Sequence, residues 1–500
     1  MSPKFNIMSK LINILCCILL FSSSIINSQT QIGNDIDGNE SQDRFGYSVD
    51  LNDTGSTIII GTIRGGDNDG GYVRILKRMG NEWVQKGSEI HSENGYESFG
   101  FSVGINSDGS RIVVGSPFSS DNGESSGSVK VFDFINNDWV QNGNTVFGKN
   151  ENDWAGREVE ISADGKRFAL GAFHNDGDTD ESSHVRVYEL NNNAWEQIGE
   201  DIDGINPVDF FGGSIAMNFD GSRFAAGATH AGAIAGQVRV FEFIDNEWIQ
   251  LGSTLDAGSG DQFGVNVSFD KLGNRLAVGA PGLISSQSSG YVRVFDLVND
   301  SWQQIGGNIL SGDVGDFFGY GVDLDNSGNY LIASAAYGEL YGNETGYIRL
   351  YELLGNDWTQ IGEDMIGENE EDKFGFPISI SGDGNTIAGA AHWNDVNGIN
   401  TGHVRVFDVN ILNIGVFEGS LNKISFYPNP AKEEITFSNP NQISIDKISF
   451  YDSQSRLIHF LNSKDIINNT ISLKDINSGV YFLKLETNKG IVSSQIIIEK

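Results

Sequence analysis

Seven acidic side chains recur along the chain, each two residues ahead of a Phe-Gly position: Asp43, Glu97, Asp153, Asp209, Asp261, Asp316 and Asp372, with Ala155 replacing the Phe in the third copy. Seven bases recur at the head of a later apolar run: Arg74, Lys130, Arg186, Arg239, Arg293, Arg349 and Arg405. Groups repeated sevenfold suit ion pairs or backbone hydrogen bonds that brace a scaffold, and they are poor candidates for one reaction centre.

Chemistry peculiar to one place must come from residues that break the repetition. Asp176, Asp178 and Asp180 alternate in one loop, with Glu181 beside them. Alternating oxygen donors of this kind can converge on a hard cation, so calcium is the one cofactor the sequence suggests. Asp67 and Asp69 form a shorter version. His174, His230 and His392 share one position in the third, fourth and seventh copies, where other copies carry Arg64, Phe118, Gly282 and Tyr337. Zinc needs three or four convergent ligands, and histidines spread around a ring do not supply them, so these read as polar groups on a rim. Trp154, Trp393, Phe118, Tyr337 and Tyr341 add aromatic faces beside Asp or Asn, a combination suited to sugar rings. Trp154, His174, His230, Tyr337, His392 and Trp393 are therefore the candidate ligand contacts. No nucleophile motif, phosphate loop or metal-protease helix is present, and no catalytic residue is singled out.

These residues ride on a pattern of about 54 residues that runs seven times between Gln29 and Asn410. Six copies close on a Trp followed shortly by Gly: Trp83, Trp139, Trp195, Trp248, Trp302 and Trp358. The seventh stops at Val406-Phe407-Asp408. Its missing piece lies at the other end, where Gln29-Thr30-Gln31-Ile32-Gly33 reads like Trp195-Glu196-Gln197-Ile198-Gly199, with Gln29 in the Trp position. An N-terminal strand that completes the last unit is the signature of a closed ring. Within the second copy, Phe99 to Val103 opens a first strand, Asp108-Gly109 makes a hairpin turn, and Arg111 to Gly115 forms a second strand. Strands follow at Ser128 to Phe134 and around Trp139. The expected fold is all-β: a seven-bladed propeller over residues 29–409, each Trp filling a gap between blades, with the variable loops on one rim.

The copies resemble the FG-GAP repeats of integrin α-chain propellers, most plainly where Phe263-Gly264 is followed by Gly279-Ala280-Pro281. The resemblance covers about residues 29–409 and implies a secreted adhesion or ligand-binding scaffold. That family often builds a calcium loop between the first two strands of a repeat. Here the loop is cut to a two-residue turn, as in Asp164-Gly165 and Asp220-Gly221, which argues against inherited calcium sites.

Both ends speak to destination. Residues 1–28 carry Lys4 and Lys10, an apolar stretch from Leu11 to Phe21 and a Ser-rich end, which reads as a signal peptide cleaved between Ser28 and Gln29. The apolar stretch is short for a membrane span. Cys16 and Cys17 would leave with it, so the mature chain would have no disulfide and no transmembrane span. Loss of two lysines takes the formal charge from −35 to −37, which makes nucleic acid an improbable partner. After a linker at 410–420, residues 421–500 lose both repeat and acidity. They resemble the C-terminal sorting domain of type IX secretion, on Tyr427-Pro428-Asn429-Pro430, on Ile448 to Asp452 with Arg456, and on Gly479-Val480-Tyr481 leading to Lys500. That resemblance implies a small immunoglobulin-like sandwich read by the secretion translocon.

The sequence thus leads to an exported or cell-surface monomer that presents a propeller rim to an extracellular glycan or matrix protein. A polysaccharide-degrading enzyme using rim carboxylates, and a self-associating surface-layer component, are the alternatives from other classes.

Overall fold

The computed structural model describes residues 29–66, 68–172, 183–206, 209–283, 289–312, 315–409, 426–427, 431–438, 445–451, 457–462, 469–474, 476–487 and 490–498. The chain divides into two compact units, Met1–Asn410 and Ile411–Lys500. The signal-peptide call, the Asp176, Asp178 and Asp180 loop with His174, and Pro428, Asn429 and Pro430 of the sorting motif lie outside the described residues.

Among the described residues the first unit is all-β apart from one turn of helix at Ala231–Ile234. Among the described residues it holds seven antiparallel sheets of four strands, in sequence order in six of them, some with a short fifth strand. In the second sheet the order is Val103–Ile105, Arg111–Ser116, Ser128–Ile135 and Asp138–Gln141. The last sheet takes its outer strand from the other end of the unit, with Gln29 paired to Val409 and Gln31 to Phe407.

One feature closes the circuit of sheets and a second links most of them, the indoles of Trp83 and Trp358 having no hydrogen-bond partner among the described residues. The hairpin turns are linked by seven backbone hydrogen bonds: Asp53 N–H to Ser107 O, Ser107 to Ala163, Asp164 to Phe219, Phe219 to Lys271, Lys271 to Asn326, Asn326 to Gly382, and Asp383 back to Asp53. The indole N–H groups supply the second. Trp139 donates to Lys86 O, Trp195 to Asn142 O, Trp248 to Ile198 O and Trp302 to Leu251 O, each reaching the preceding sheet beside a Gly. Gln29 makes the equivalent bond, from Nε2 to Ile361 O, and lies where a Cβ on Gly362 would fall, as the Trp rings do against Gly87, Gly143 and Gly199.

The Phe-Gly pair has a packing reason as well. The glycine is left-handed in every copy, at Gly46, Gly100, Gly156, Gly212, Gly264, Gly319 and Gly375. A Cβ on the small residue that ends strand two would lie 2.2 Å from Gly100 O at Gly61, 2.0 Å from Gly156 O at Gly115 and 2.0 Å from Gly264 O at Gly227. Neighbouring sheets therefore meet backbone to backbone at this level, while their apolar faces mesh around it. One such core joins Val113, Val129, Val159, Phe168, Leu170 and Trp195.

The second unit is described as two sheets around one apolar core. Phe426–Tyr427, Glu434–Phe437 and Thr470–Ser472 make the smaller sheet; Leu457–Asn462, Ile445–Tyr451, Gly479–Thr487 and Gly490–Ile498 make the larger. Phe437, Phe450, Leu483, Leu485 and Ile496 fill the space they share.

Candidate ligand-binding mouth

The repeated acids form turns. Asp43, Asp153, Asp209, Asp261 and Asp372 each accept the backbone N–H of the residue three before, from Glu40, Asn150, Asn206, Gly258 and Asn369. Tyr72, Tyr291 and Tyr347 add hydroxyl donors to Asp43, Asp261 and Asp316. Glu97 instead gathers side chains, from Ser92, Asn94 and Ser119. Among the described residues the repeated bases make no direct ion pair with these acids. Five of the seven reach carbonyls of the preceding connection: Arg74 to Asp37 O, Arg186 to Phe147 O, Arg239 to Asp203 O, Arg349 to Ser311 O and Arg405 to Ile366 O. Arg74 and Arg239 also lie over Phe45 and Phe211, the Phe of the Phe-Gly pair.

What this brace holds was not visible in the sequence. The residue between acid and Phe is left-handed in all seven copies: Arg44, Ser98, Trp154, Phe210, Gln262, Phe317 and Lys373, with φ between 53° and 60°. Non-glycine residues in this region cost of order 1 kcal/mol each and persist only where their surroundings impose them. The backbone conformation is constant while six residue types occupy the seven positions.

Two of those side chains, Phe210 and Gln262, line a cavity of about 630 Å³ that the first strand of every sheet borders. The strands enter it at Tyr47, Phe101, Arg157, Tyr320 and Phe376, immediately after the Phe-Gly glycine. An almost continuous aromatic collar results. Trp154 meets Phe118 at 5.5 Å, Phe118 meets Phe101 at 6.2 Å, Phe101 meets Tyr47 at 4.9 Å, and Tyr47 meets His392 at 5.2 Å. The run continues through Phe376 and Tyr320 to Tyr337. Cations lie on it: Arg44 over Trp393 at 4.4 Å, Lys373 over both Trp393 and Tyr337, and Arg157 over Phe101 at 5.1 Å.

Of the sequence candidates, Trp154, Tyr337 and Trp393 are part-exposed members of this collar. His230 lines the cavity against Phe210 at 4.2 Å, with Thr229 Oγ1 at its Nδ1. His392 differs from expectation: it is buried, 2% exposed, and its Nδ1 is bonded to Phe376 O. Burial pulls its pKa down to about 4, so it is a neutral strut beneath Trp393 and not a displayed ligand contact. Tyr341 stands apart from the cavity lining and donates to Asp364.

One to three residues further along the strands, about 3–10 Å deeper, the cavity turns acidic with Glu158, Glu160, Asp50 and Asp323. Each is part-exposed and lines the cavity, with protein enclosing it elsewhere. Burial pushes Glu158 up to about 8, Asp50 to about 7 and Asp323 to about 6; Glu160 is raised well above its ordinary value by burial and the Asp50 charge. Asp50 and Asp323 also tie sheets together, accepting from Ile105 N–H and Ile380 N–H and from the hydroxyls of Ser379 and Ser268. Sequence reasoning missed these four because a polar residue within a strand reads as solvent-facing.

Comparison with known proteins assigns the end of the chain. Residues 425–499 match the secretion system C-terminal sorting domain. The chain therefore belongs to the class of proteins exported by type IX secretion, and its place is outside the cell or on the outer cell surface. No curated protein matches the chain. Among solved structures, the hydrazine synthase of Kuenenia stuttgartiensis is similar at 13% identity and a TM-score of 0.49, over 75% of this chain and 97% of that one. A candidate 6-phosphogluconolactonase of Bacteroides fragilis is similar at 15% identity and a TM-score of 0.48, over 70% and 90% of the two chains. No helix among the described residues is long and apolar enough to cross a membrane.

Proposed function

We propose that the chain is an exported seven-bladed propeller of FG-GAP type, followed by an immunoglobulin-like sorting domain, and that it binds an extracellular glycan at the mouth of its central cavity. The observation that carries this reading is the collar, in which Trp154, Tyr337 and Trp393 stand part-exposed beside Arg44, Arg157 and Lys373. Aromatic faces take the apolar faces of sugar rings, and guanidinium and ammonium groups bond hydroxyl or carboxylate oxygens around them. The closed circuit of seven turn hydrogen bonds supports the ring that displays them. The repeated acids and bases are its braces, and the sorting domain delivers it to the translocon.

A glycan and matrix-protein array probed with the purified chain tests the reading, run in calcium and again in chelator. Binding to a defined glycan class that falls at least tenfold in Trp393→Ala, with an unchanged melting temperature, is the expected result; an aromatic contact of about 1–2 kcal/mol corresponds to that loss. Binding confined to matrix proteins, or a blank array in both buffers, would sink it. Loss in chelator alone, reproduced by Asp176→Ala, would bring calcium into the site.

A further inference from the structure

The third and seventh sheets share a local arrangement that differs in one residue. In each, a buried His opens the third strand opposite an Asp, with His184 paired to Asp203 and His403 to Asp37. Two residues before that Asp stands a second one, Asp201 or Asp35, held through Oδ1 by a Gln amide at 2.8 Å from Gln197 and 2.6 Å from Gln31. The Arg two residues after the His donates to a carbonyl, Phe147 O or Ile366 O. Two residues beyond that carbonyl the sheets part. The third has Lys149, whose Nζ lies 2.7 Å from Asp201; the seventh has Glu368.

Exchanging Lys for Glu removes two units of positive charge from an otherwise matching pocket. The seventh sheet is left with two carboxylates beside a neutral imidazole. The oxygens of Asp35 and Glu368 and a ring nitrogen of His403 lie within 4.8 Å of one another. His403 is fully buried, and neither ring nitrogen has a hydrogen-bond partner. Its Nδ1 faces Asp35 Oδ2 at 4.0 Å. An orphaned buried imidazole is costly unless something supplies the missing bond. Arg405 does not: it donates to Gln31 Oε1 and Ile366 O, and stays 3.6 Å from Asp35 and 3.9 Å from Glu368.

We infer that Asp35, Glu368 and His403 bind a divalent transition-metal ion of the zinc class. One imidazole and two carboxylates are a donor set such an ion accepts, and a divalent charge restores what Lys149 contributes in the third sheet. Ligand atoms around a tetrahedral ion at 2.0–2.2 Å sit about 3.3 Å apart, so the three groups need to close by roughly an ångström. The bond from Gln31 fixes the Asp35 carboxylate with Oδ2 toward the site, the orienting role outer partners play at metal centres. Asp35 comes from the N-terminal segment, Glu368 from the connection into the last sheet and His403 from that sheet, so the ion clasps the closure of the ring.

The test is calorimetric titration of Zn²⁺ into the metal-stripped full chain, with thermal melting alongside, for wild type and Glu368→Lys, which copies Lys149. Wild type should take up one tight equivalent and melt at a higher temperature with Zn²⁺. Glu368→Lys should bind Zn²⁺ at least about tenfold more weakly, yet melt without metal no lower than the stripped wild type. Absence of uptake by wild type, or undiminished affinity in Glu368→Lys, would overturn the assignment. So would an equal gain in melting temperature from Ca²⁺, which has little affinity for imidazole.

Discussion

The backbone contact between neighbouring sheets makes Gly115→Ala the sharpest probe of the frame. A Cβ at Gly115 would lie 2.0 Å from Gly156 O, 2.9 Å from Gly156 C and 3.2 Å from Gly156 Cα. All three atoms are main chain, so no side-chain rotation relieves the clash. Ordinary contact requires about 3.5 Å, so the second and third sheets must separate locally by about 1.5 Å. That opening loosens a core whose members Val113, Val129, Ala155 and Val159 are at most 1% exposed. Overpacking of this kind costs about 1–3 kcal/mol, and the upper half of that range applies where both walls are backbone. Ser334 and Ala390 occupy the same position in the last two sheets, so the frame admits a Cβ where the neighbouring sheet is built to receive it. At roughly 2 °C per kcal/mol for a unit of this size, Gly115→Ala should lower the melting temperature by about 4–6 °C. Gly307→Ala, whose Cβ meets nothing within 4 Å, is the matched control and should stay within about 1 °C. If differential scanning calorimetry finds the two variants alike, the backbone contact is not what requires glycine there.

The cavity carboxyls make stability depend on pH. A carboxyl whose pKa is raised by folding lends stability below its unfolded value and loses it as pH climbs through the folded one, about 7 for Asp50 and 8 for Glu158. His392 and His184, drawn down by burial to about 4 and 3, act oppositely and lose stability as pH falls below about 6.5. Above pH 6.5 the histidines no longer contribute a pH dependence and the carboxyl loss stands alone, so melting temperature should decline between pH 6.5 and 8, with Glu158→Gln reducing the decline; a flat wild-type profile over that window would contradict the burial argument. Gln29→Trp should preserve or raise the melting temperature, since Gln29 already makes the indole's bond to Ile361 O beside Gly362, and a drop beyond about 2 kcal/mol would mean the slot is too small. Trp195→Ala, removing a ring that is 3% exposed and bonded to Asn142 O, should cost about 3–5 kcal/mol by chemical denaturation.

The frame was legible because each of its parts obeys a local rule that a sequence can display. Asp-Gly is what a tight hairpin demands, the Trp-to-Gly interval marks the outer strand, and the Gln-Ile-Gly segment after Gln29 repeats that of Trp195 closely enough to expose the ring closure. The mouth was less legible. Trp154 and Trp393 stood out by type, but Arg44, Phe210, Phe317 and Lys373 matter by position, and nothing local announces that the residue before Phe-Gly is left-handed. Its signal is a comparison: a place in the turn where six residue types occur in seven copies while its neighbours recur. Asp50, Glu160 and Asp323 were hidden because strand alternation separates two faces without revealing that one faces an enclosed cavity. His392 was placed in the right loop, yet its burial follows from Tyr47 and Phe376, which come from separate sheets.

Strain and repetition explain each other in this molecule. Seven non-glycine residues held left-handed represent several kcal/mol that no single ligand contact would offset. The turn supplies compensation, in five copies through the acid's bond across the turn and in five through the base's bond to the preceding connection, while Glu97 is held by side chains instead. Because main-chain and invariant side-chain groups form the brace, it is indifferent to the side chain at the strained position. Arginine, serine, tryptophan, phenylalanine, glutamine and lysine all fit there. A frame with that property can change what it displays without changing how it folds.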